Sequence, residues 1–237
     1  LELEARMPDA EPAEYVAIGD WSACALLGET QRLACWGKND FGQVGSGRSV
    51  ALEGCRGIPC ETVPIRVAGD LGEVVSVSLG SDHTCAVNGL GYAYCWGLNA
   101  HGQTGGPSDN MLCGDKGCVR RPRQVPVLEG LIDIAAGSRH SCALARDGGV
   151  WCWGDNSLGQ LGMGILGDGG RNRGDFRVEP SRVGRLGPMV GLASKAESNC
   201  ARSASGDIFC WGANGTGQLG TGECTTAEPF PLAVDLR

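Results

Sequence analysis

Cys152-Trp153-Gly154-Asp155-Asn156, followed by Gly159-Gln160, is one of four renderings of a single phrase. The others are Cys35-Trp36-Gly37-Lys38-Asn39 with Gly42-Gln43, Cys95-Trp96-Gly97-Leu98-Asn99 with Gly102-Gln103, and Cys210-Trp211-Gly212-Ala213-Asn214 with Gly217-Gln218. The four tryptophans are spaced by 60, 57 and 58 residues. A fixed period of that length means one supersecondary unit per repeat, with the units stacked or set around an axis. Within 237 residues this predicts a single repeat domain over 15–237, preceded by an acidic lead-in over 1–14 that carries two prolines.

Upstream of each phrase lies a hairpin. In the second repeat the arms are Thr84–Val87 and Tyr92–Trp96 about Asn88-Gly89; in the third they are Cys142–Ala145 and Val150–Trp153 about Asp147-Gly148. Asn-Gly and Asp-Gly between β-rich arms are hairpin signals. A short β run ending near a glycine precedes each hairpin, as in Tyr15–Gly19, Val74–Gly80 and Ile132–Gly137. With 40 glycines and few helix-period apolar runs, the chain reads as all-β.

The hairpins order the cysteines, of which there are 13. Cys24 with Cys35, Cys85 with Cys95, Cys142 with Cys152 and Cys200 with Cys210 flank the hairpin turns, where antiparallel partners stand about 4.5 Å apart, within reach of a disulfide. The first pair has one extra residue between its cysteines, so its turn differs in length or carries a bulge. Cys55 with Cys60 and Cys113 with Cys118 form two C-x4-C pairs in the connections. Four thiolates on adjacent loops also have the composition of a zinc site, but disulfide closure is the expectation beside the other pairs. Cys224 is left over and is a candidate for a link to another chain. Such usage points to an oxidising compartment, secreted, cell-surface or periplasmic.

Each connection ends in a proline-plus-β phrase: Val63-Pro64, Val125-Pro126, Pro180-Ser181 and, near the C-terminus, Pro229-Phe230-Pro231. The last of these reads as a spare strand that pairs with the first unit and closes a ring.

The phrases Gly80-Ser81-Asp82-His83-Thr84-Cys85-Ala86-Val87 and Gly137-Ser138-Arg139-His140-Ser141-Cys142-Ala143-Leu144, each followed by a hairpin and W-G-x-N-x-x-G-Q, resemble the regulator-of-chromosome-condensation repeat family. The resemblance runs from Tyr15 to Val234. It implies a β-propeller with four-stranded blades, here four blades where the family's archetypes have seven. The paired cysteines depart from the family's nuclear members and suggest a secreted branch. The family's best-known activity, nucleotide exchange on a small GTPase, and enzyme inhibition by similar propellers are the alternatives the resemblance carries.

The motif tryptophans read as inter-blade core, with the motif Asn and Gln satisfying turn backbone groups. His83 and His140 occupy one repeat position and read as side chains that fix a turn. No G-x-S-x-G, H-E-x-x-H, P-loop or dinucleotide fingerprint occurs, so the expectation is a non-enzymatic module without cofactor or metal. A net charge of −7 argues against nucleic acid, and no apolar stretch is long enough for a membrane span. The variable connections over 46–63, 105–124 and 163–180 are the expected surface for a protein partner. Within them Arg120, Arg121, Arg123, Asp168, Arg171, Arg173 and Asp175 are the candidate contact residues, and a homodimer is a further possibility.

Overall fold

The computed structural model describes residues 11–47, 55–109, 112–166 and 175–236. Every regular element among them is a strand. The first blade contains β1 (Ala13–Ile18), β2 (Ser22–Leu27), β3 (Arg32–Lys38) and β4 (Cys60–Arg66), paired in that order. The second contains β5 (Val74–Leu79), β6 (His83–Asn88), β7 (Ala93–Leu98) and β9 (Lys116–Gln124), with the short β8 (Leu112–Cys113) outside β9. The third is β10 (Leu131–Ala136), β11 (His140–Ala145), β12 (Val150–Asp155) and β13 (Phe176–Arg182). The fourth is β14 (Met189–Lys195), β15 (Ser198–Ser203), β16 (Ile208–Ala213) and β17 (Ala227–Ala233). All pairings are antiparallel.

One expectation is corrected here. The C-terminal strand β17 pairs with β16 of its own blade, not with the first blade. Three of the proline-plus-β phrases lie in the outer strands of their own blades, β4, β13 and β17; Val125-Pro126 instead follows the outer strand β9, whose own proline is Pro122, and β4 already completes the first blade. Each blade is therefore a continuous stretch of chain with no strand to spare. The lead-in also ends sooner than its composition suggests. Glu11 accepts from Thr30 and pairs with Arg66 at 3.3 Å, and β1 begins at Ala13.

The glycine after each motif tryptophan sets the blade's shape. Gly37, Gly97, Gly154 and Gly212 have φ between 103° and 108°, a region closed to most side chains. The register of the outer strand shifts at each of them. This is a β-bulge built into the motif, and it increases the local twist.

The core lies between blades. At each of the three joints the front face of one blade packs on the back face of the blade before it. Val77, Leu79, Ala86 and Trp96 on the front of the second blade cluster with Cys24, Leu26, Leu33 and Cys35 on the back of the first. The next two joints repeat this with Ile134, Ala143 and Trp153 against Val87 and Ala93, and with Ala201 and Trp211 against Leu144 and Val150.

A polar relay runs through each joint. The Trp96, Trp153 and Trp211 indoles donate to the main-chain carbonyls of Gln43, Gln103 and Gln160 in the preceding blade, at 2.9–3.0 Å. The same three carbonyls accept from Thr84, Ser141 and Asn199. Because Ser141 donates its hydroxyl proton to Gln103, its oxygen accepts from His83 Nε2 at 2.9 Å. His140 Nε2 likewise donates to Asn199 Oδ1 at 2.7 Å. The two histidines therefore join blades; they do more than fix a turn. Burial leads the effects that lower the His83 pKa to about 3, with His140 adding to it, and burial also lowers that of His140, so both rings are neutral.

Candidate protein-binding face

Strand order places two sets of turns at one end of the blades: the inner turns between first and second strands, and the long connections that follow the motif. The motif fixes those connections. Asn39, Asn99, Asn156 and Asn214 each accept, through Oδ1, a backbone N–H five residues on, and Gln43, Gln103, Gln160 and Gln218 each accept one two residues back.

The cysteines stiffen both ends of this framework. The hairpin pairs Cys24–Cys35, Cys85–Cys95, Cys142–Cys152 and Cys200–Cys210 are bonded, with Cα atoms 4.0–4.1 Å apart. Cys55–Cys60 and Cys113–Cys118 are also bonded, with Cα atoms 5.9 Å apart, and close two small loops. Cys224 is a free, exposed thiol.

The candidate contact residues separate into different environments. Arg120 and Arg121 lie over the motif turn of the first blade: the Arg120 carbonyl accepts from Gly47, and a side chain at Gly42 would meet the Arg120 Cα at 2.8 Å. Val178 and Pro229 cover Gly102 and Gly159 in the same way, so this part of the basic cluster sits at a structural joint. Arg123 is held by Asp109 and the Pro107 carbonyl. Asp175 packs beside the third motif, where its carbonyl accepts from Asn156 at 2.6 Å. Asp168, Arg171 and Arg173 lie outside the described residues.

A set of residues the sequence did not single out comes together instead. Ser81 and Asp82, Ser138 and Arg139, and Glu197 belong to the inner turns of three successive blades. With Leu98, Ala100, His101 and Lys116 they line a cavity of about 460 Å³. Lys116 sits in the loop closed by Cys113–Cys118, so the disulfide helps to fix a charge at the cavity's rim. Lys116 and Lys38 approach the Phe41 ring at 5.6 and 5.4 Å.

Charges around the cavity are only partly paired. Lys38 bonds Asp82 at 2.8 Å and Asp40 at 3.2 Å; desolvation works against its charged form, but the two carboxylates win and its pKa is raised. Asp20 accepts from Lys195 and Ser81, both at 2.6 Å, which holds its carboxyl below its ordinary value. His101 is held below its ordinary value mainly by burial. Among the described residues no group of three or more His, Cys, Asp or Glu side chains is placed to hold a metal. The cavity offers both signs of charge, hydroxyls and an imidazole, a lining suited to binding polar protein surface. A second cavity, of about 550 Å³, is lined by inner-strand residues including Tyr15, Val75 and Ile132. No helix among the described residues is long and apolar enough to cross a membrane.

Family models described as the regulator of chromosome condensation (RCC1) repeat match residues 14–43, 74–103 and 131–160, and residues 32–87, 91–144 and 205–235. The chain is 30% identical over 224 residues to the human probable E3 ubiquitin-protein ligase HERC3, covering 92% of this chain and 19% of that protein. It is 35% identical over 231 residues to HERC4 of Rattus norvegicus, with the same coverages. The chain thus spans about a fifth of these relatives. Among solved structures, yeast RCC1 (Prp20) bound to Kap60 superposes with a TM-score of 0.79 at 22% identity, over 97% of this chain and 50% of that one. Human WBSCR16 gives 0.73 at 22% identity, over 92% and 50%. These structural likenesses concern the fold.

Proposed function

This chain belongs to the regulator of chromosome condensation (RCC1) repeat family, and from that premise we propose that it is a non-catalytic protein-binding module of an oxidising compartment. The observation that carries the reading is the charged cavity on the turn-bearing end. Its lining comes from three blades, and its rim lysine is placed by a disulfide-closed loop. Preorganised loops of this kind lower the ordering cost of association. Six disulfides support the compartment.

The test is affinity enrichment from the secreted fraction of a producing culture, comparing wild type with the double variant Lys116→Glu, Arg139→Glu. The expected result is a protein retained by wild type and lost by a variant with an unchanged melting temperature. Equal retention of every captured protein by the two would refute the site.

A second reading is favoured by the likeness to yeast RCC1. Prp20p is described with its binding to Gsp1p and histones, and exchange regulation of a small GTPase is the activity the family resemblance implies. Accelerated nucleotide release from a panel of small GTPases would support it. The disulfides weigh against it, because small GTPases work where thiols stay reduced.

A further inference from the structure

The motif turn of the first blade holds a carboxylate that the second blade lacks. Asp40, three residues before the motif glutamine, accepts from the Gln43 side-chain amide at 3.0 Å and pairs with Lys38 at 3.2 Å. The same position in the second blade is Ala100, and the turn around it is otherwise bonded alike. Gln103 Oε1 accepts from the His101 N–H at 2.9 Å, as Gln43 Oε1 does from Phe41, and Asn99 accepts from Thr104 as Asn39 does from Val44. The Gln103 amide nitrogen therefore has the pose of Gln43 without its acceptor. It is fully buried and makes no hydrogen bond. A buried donor in that state is costly, and a carboxylate beside Ala100 would relieve it.

Ala100 and His101 line the charged cavity, and the cations beside them are unpaired. Across the first joint, Asp82 reaches back to Lys38 at 2.8 Å. The corresponding residues at the second joint are Arg139 and Leu98, which cannot pair. Among the described residues neither Arg139 nor Lys116 has an ion-pair partner. After burial, the leading effect on His101, both cations lower its pKa and Asp155 raises it, so these charges act on one ring. Asp82 is held by Lys38 and Asp155 accepts from Ser157, which leaves Glu197 against two cations. The third blade supplies the contrast. The Gln160 amide is orphaned as well, but Asp155 and Glu197 occupy the places of Leu98 and Arg139 there, and an added carboxylate would meet like charge. Among the described residues, only the second joint combines an orphaned amide with unpaired cations.

We propose that the cavity beside Ala100 is a subsite for one side-chain carboxylate, an aspartate or glutamate presented by the protein partner. This deepens the protein-binding reading of the same face and rests on it. The incoming carboxylate takes the place that Asp40 fills in the first blade, with Arg139 and Lys116 in the role of Lys38. Charge-assisted hydrogen bonds of this kind are short and strong. The chain's net charge of −7 gives no diffuse attraction for an acidic segment, so attachment depends on these local donors.

The test is a titration at low salt, followed by nitrogen–proton NMR, with three acetylated Gly-Ser peptides. One carries a central Asp and an amidated C-terminus, one carries Asn in its place, and one carries Asn with a free C-terminal carboxylate. The expected result is that the Asp peptide alone shifts the Gln103 side-chain amide and the His101 signals. Arg139→Gln should weaken that peptide about tenfold. Ala100→Asp fills the subsite from within: its Gln103 amide should already be shifted without peptide, and the Asp peptide should no longer bind. Equal binding of the Asp and Asn amides, or an Ala100→Asp protein that binds the Asp peptide like wild type, would overturn the subsite. Tighter binding of the Asn peptide with the free terminus would overturn the side-chain source. If Ala100→Asp does not fold, Lys116→Gln with Arg139→Gln gives the same reading from outside the turn, and undiminished binding there overturns the subsite. Failure of the Asp peptide, alongside loss of the captured partner by Lys116→Glu, Arg139→Glu, would overturn the carboxylate and keep the face. Unchanged capture by that variant would overturn the face itself.

Discussion

Replacing Trp153 with Phe tests whether the joints carry the stability of this array. Trp153 is fully buried, and its indole donates to the Gln103 carbonyl at 3.0 Å. Phe removes that bond and leaves a small void. The carbonyl is not orphaned, because Ser141 still donates to it at 2.9 Å. The lost bond is therefore worth about 0.5–1.5 kcal/mol and not a full desolvation penalty. The void adds roughly 1–2 kcal/mol. Trp153→Phe should thus cost about 1.5–3.5 kcal/mol in all. Trp36→Phe is the matched control: it has the same motif position and the same chemistry, but it is half-buried and no described residue accepts from its indole, so its cost should stay under about 1 kcal/mol. Urea unfolding under non-reducing conditions, followed by circular dichroism, gives the two midpoints; the slopes must match before they are compared, because repeat arrays need not unfold in one step. Equal costs for the two variants would refute the reasoning, since only the joint distinguishes the two sites. Adding Ser141→Ala to Trp153→Phe should cost more than the separate changes combined. The double variant leaves the Gln103 carbonyl with no donor, and His83 Nε2 loses its acceptor as well.

Acid should weaken the joints through the buried histidines. His83 is neutral in the folded state with a pKa near 3, whereas an unfolded histidine takes a proton near pH 6.5, so between those values the unfolded state binds more protons and stability falls as pH falls. The loss is on the order of 1 kcal/mol per pH unit for His83, and His83→Gln should flatten the dependence of the urea midpoint on pH across that window. Alkylation of the unreduced protein, read by mass spectrometry, should label Cys224 alone and leave the other 12 cysteines as six bridges. Cys142→Ala with Cys152→Ala opens a bridge across 10 residues and should cost about 2–3 kcal/mol, seen as a lower melting temperature. Lys195→Ala removes a bond to Asp20 from an exposed side chain and should change stability by less than about 1 kcal/mol.

The period, the hairpins and the cysteine partners were legible because each is a local pattern. Cys142 and Cys152 flank a turn, and cross-strand pairing follows from the turn. The strand frame was harder to read. Pro229–Val234 looks like a spare strand until one sees that β4 fills the outer position of the first blade, and that its distance from the motif differs from blade to blade because the connections vary. The role of Arg120 was hidden for another reason. A basic cluster in a loop reads as solvated, and nothing in its sequence reports that it lies over Gly42, more than 70 residues earlier. The cavity was least legible of all. Asp82, Lys116, Arg139 and Glu197 come from three repeats, and only the arrangement of blades brings them to one rim.

All six bridges lie within blades, and every joint between blades is non-covalent. Under tension the molecule should behave as beads on a thread. Pulled from its ends, it should yield one bead at a time, and each bead should pay out less chain than its length, because paired hairpin cysteines 10 or 11 positions apart in sequence keep the chain between them locked in a loop. A reductant would leave the order of rupture to the joints but lengthen each step, so the extension per event would report the redox state of its surroundings.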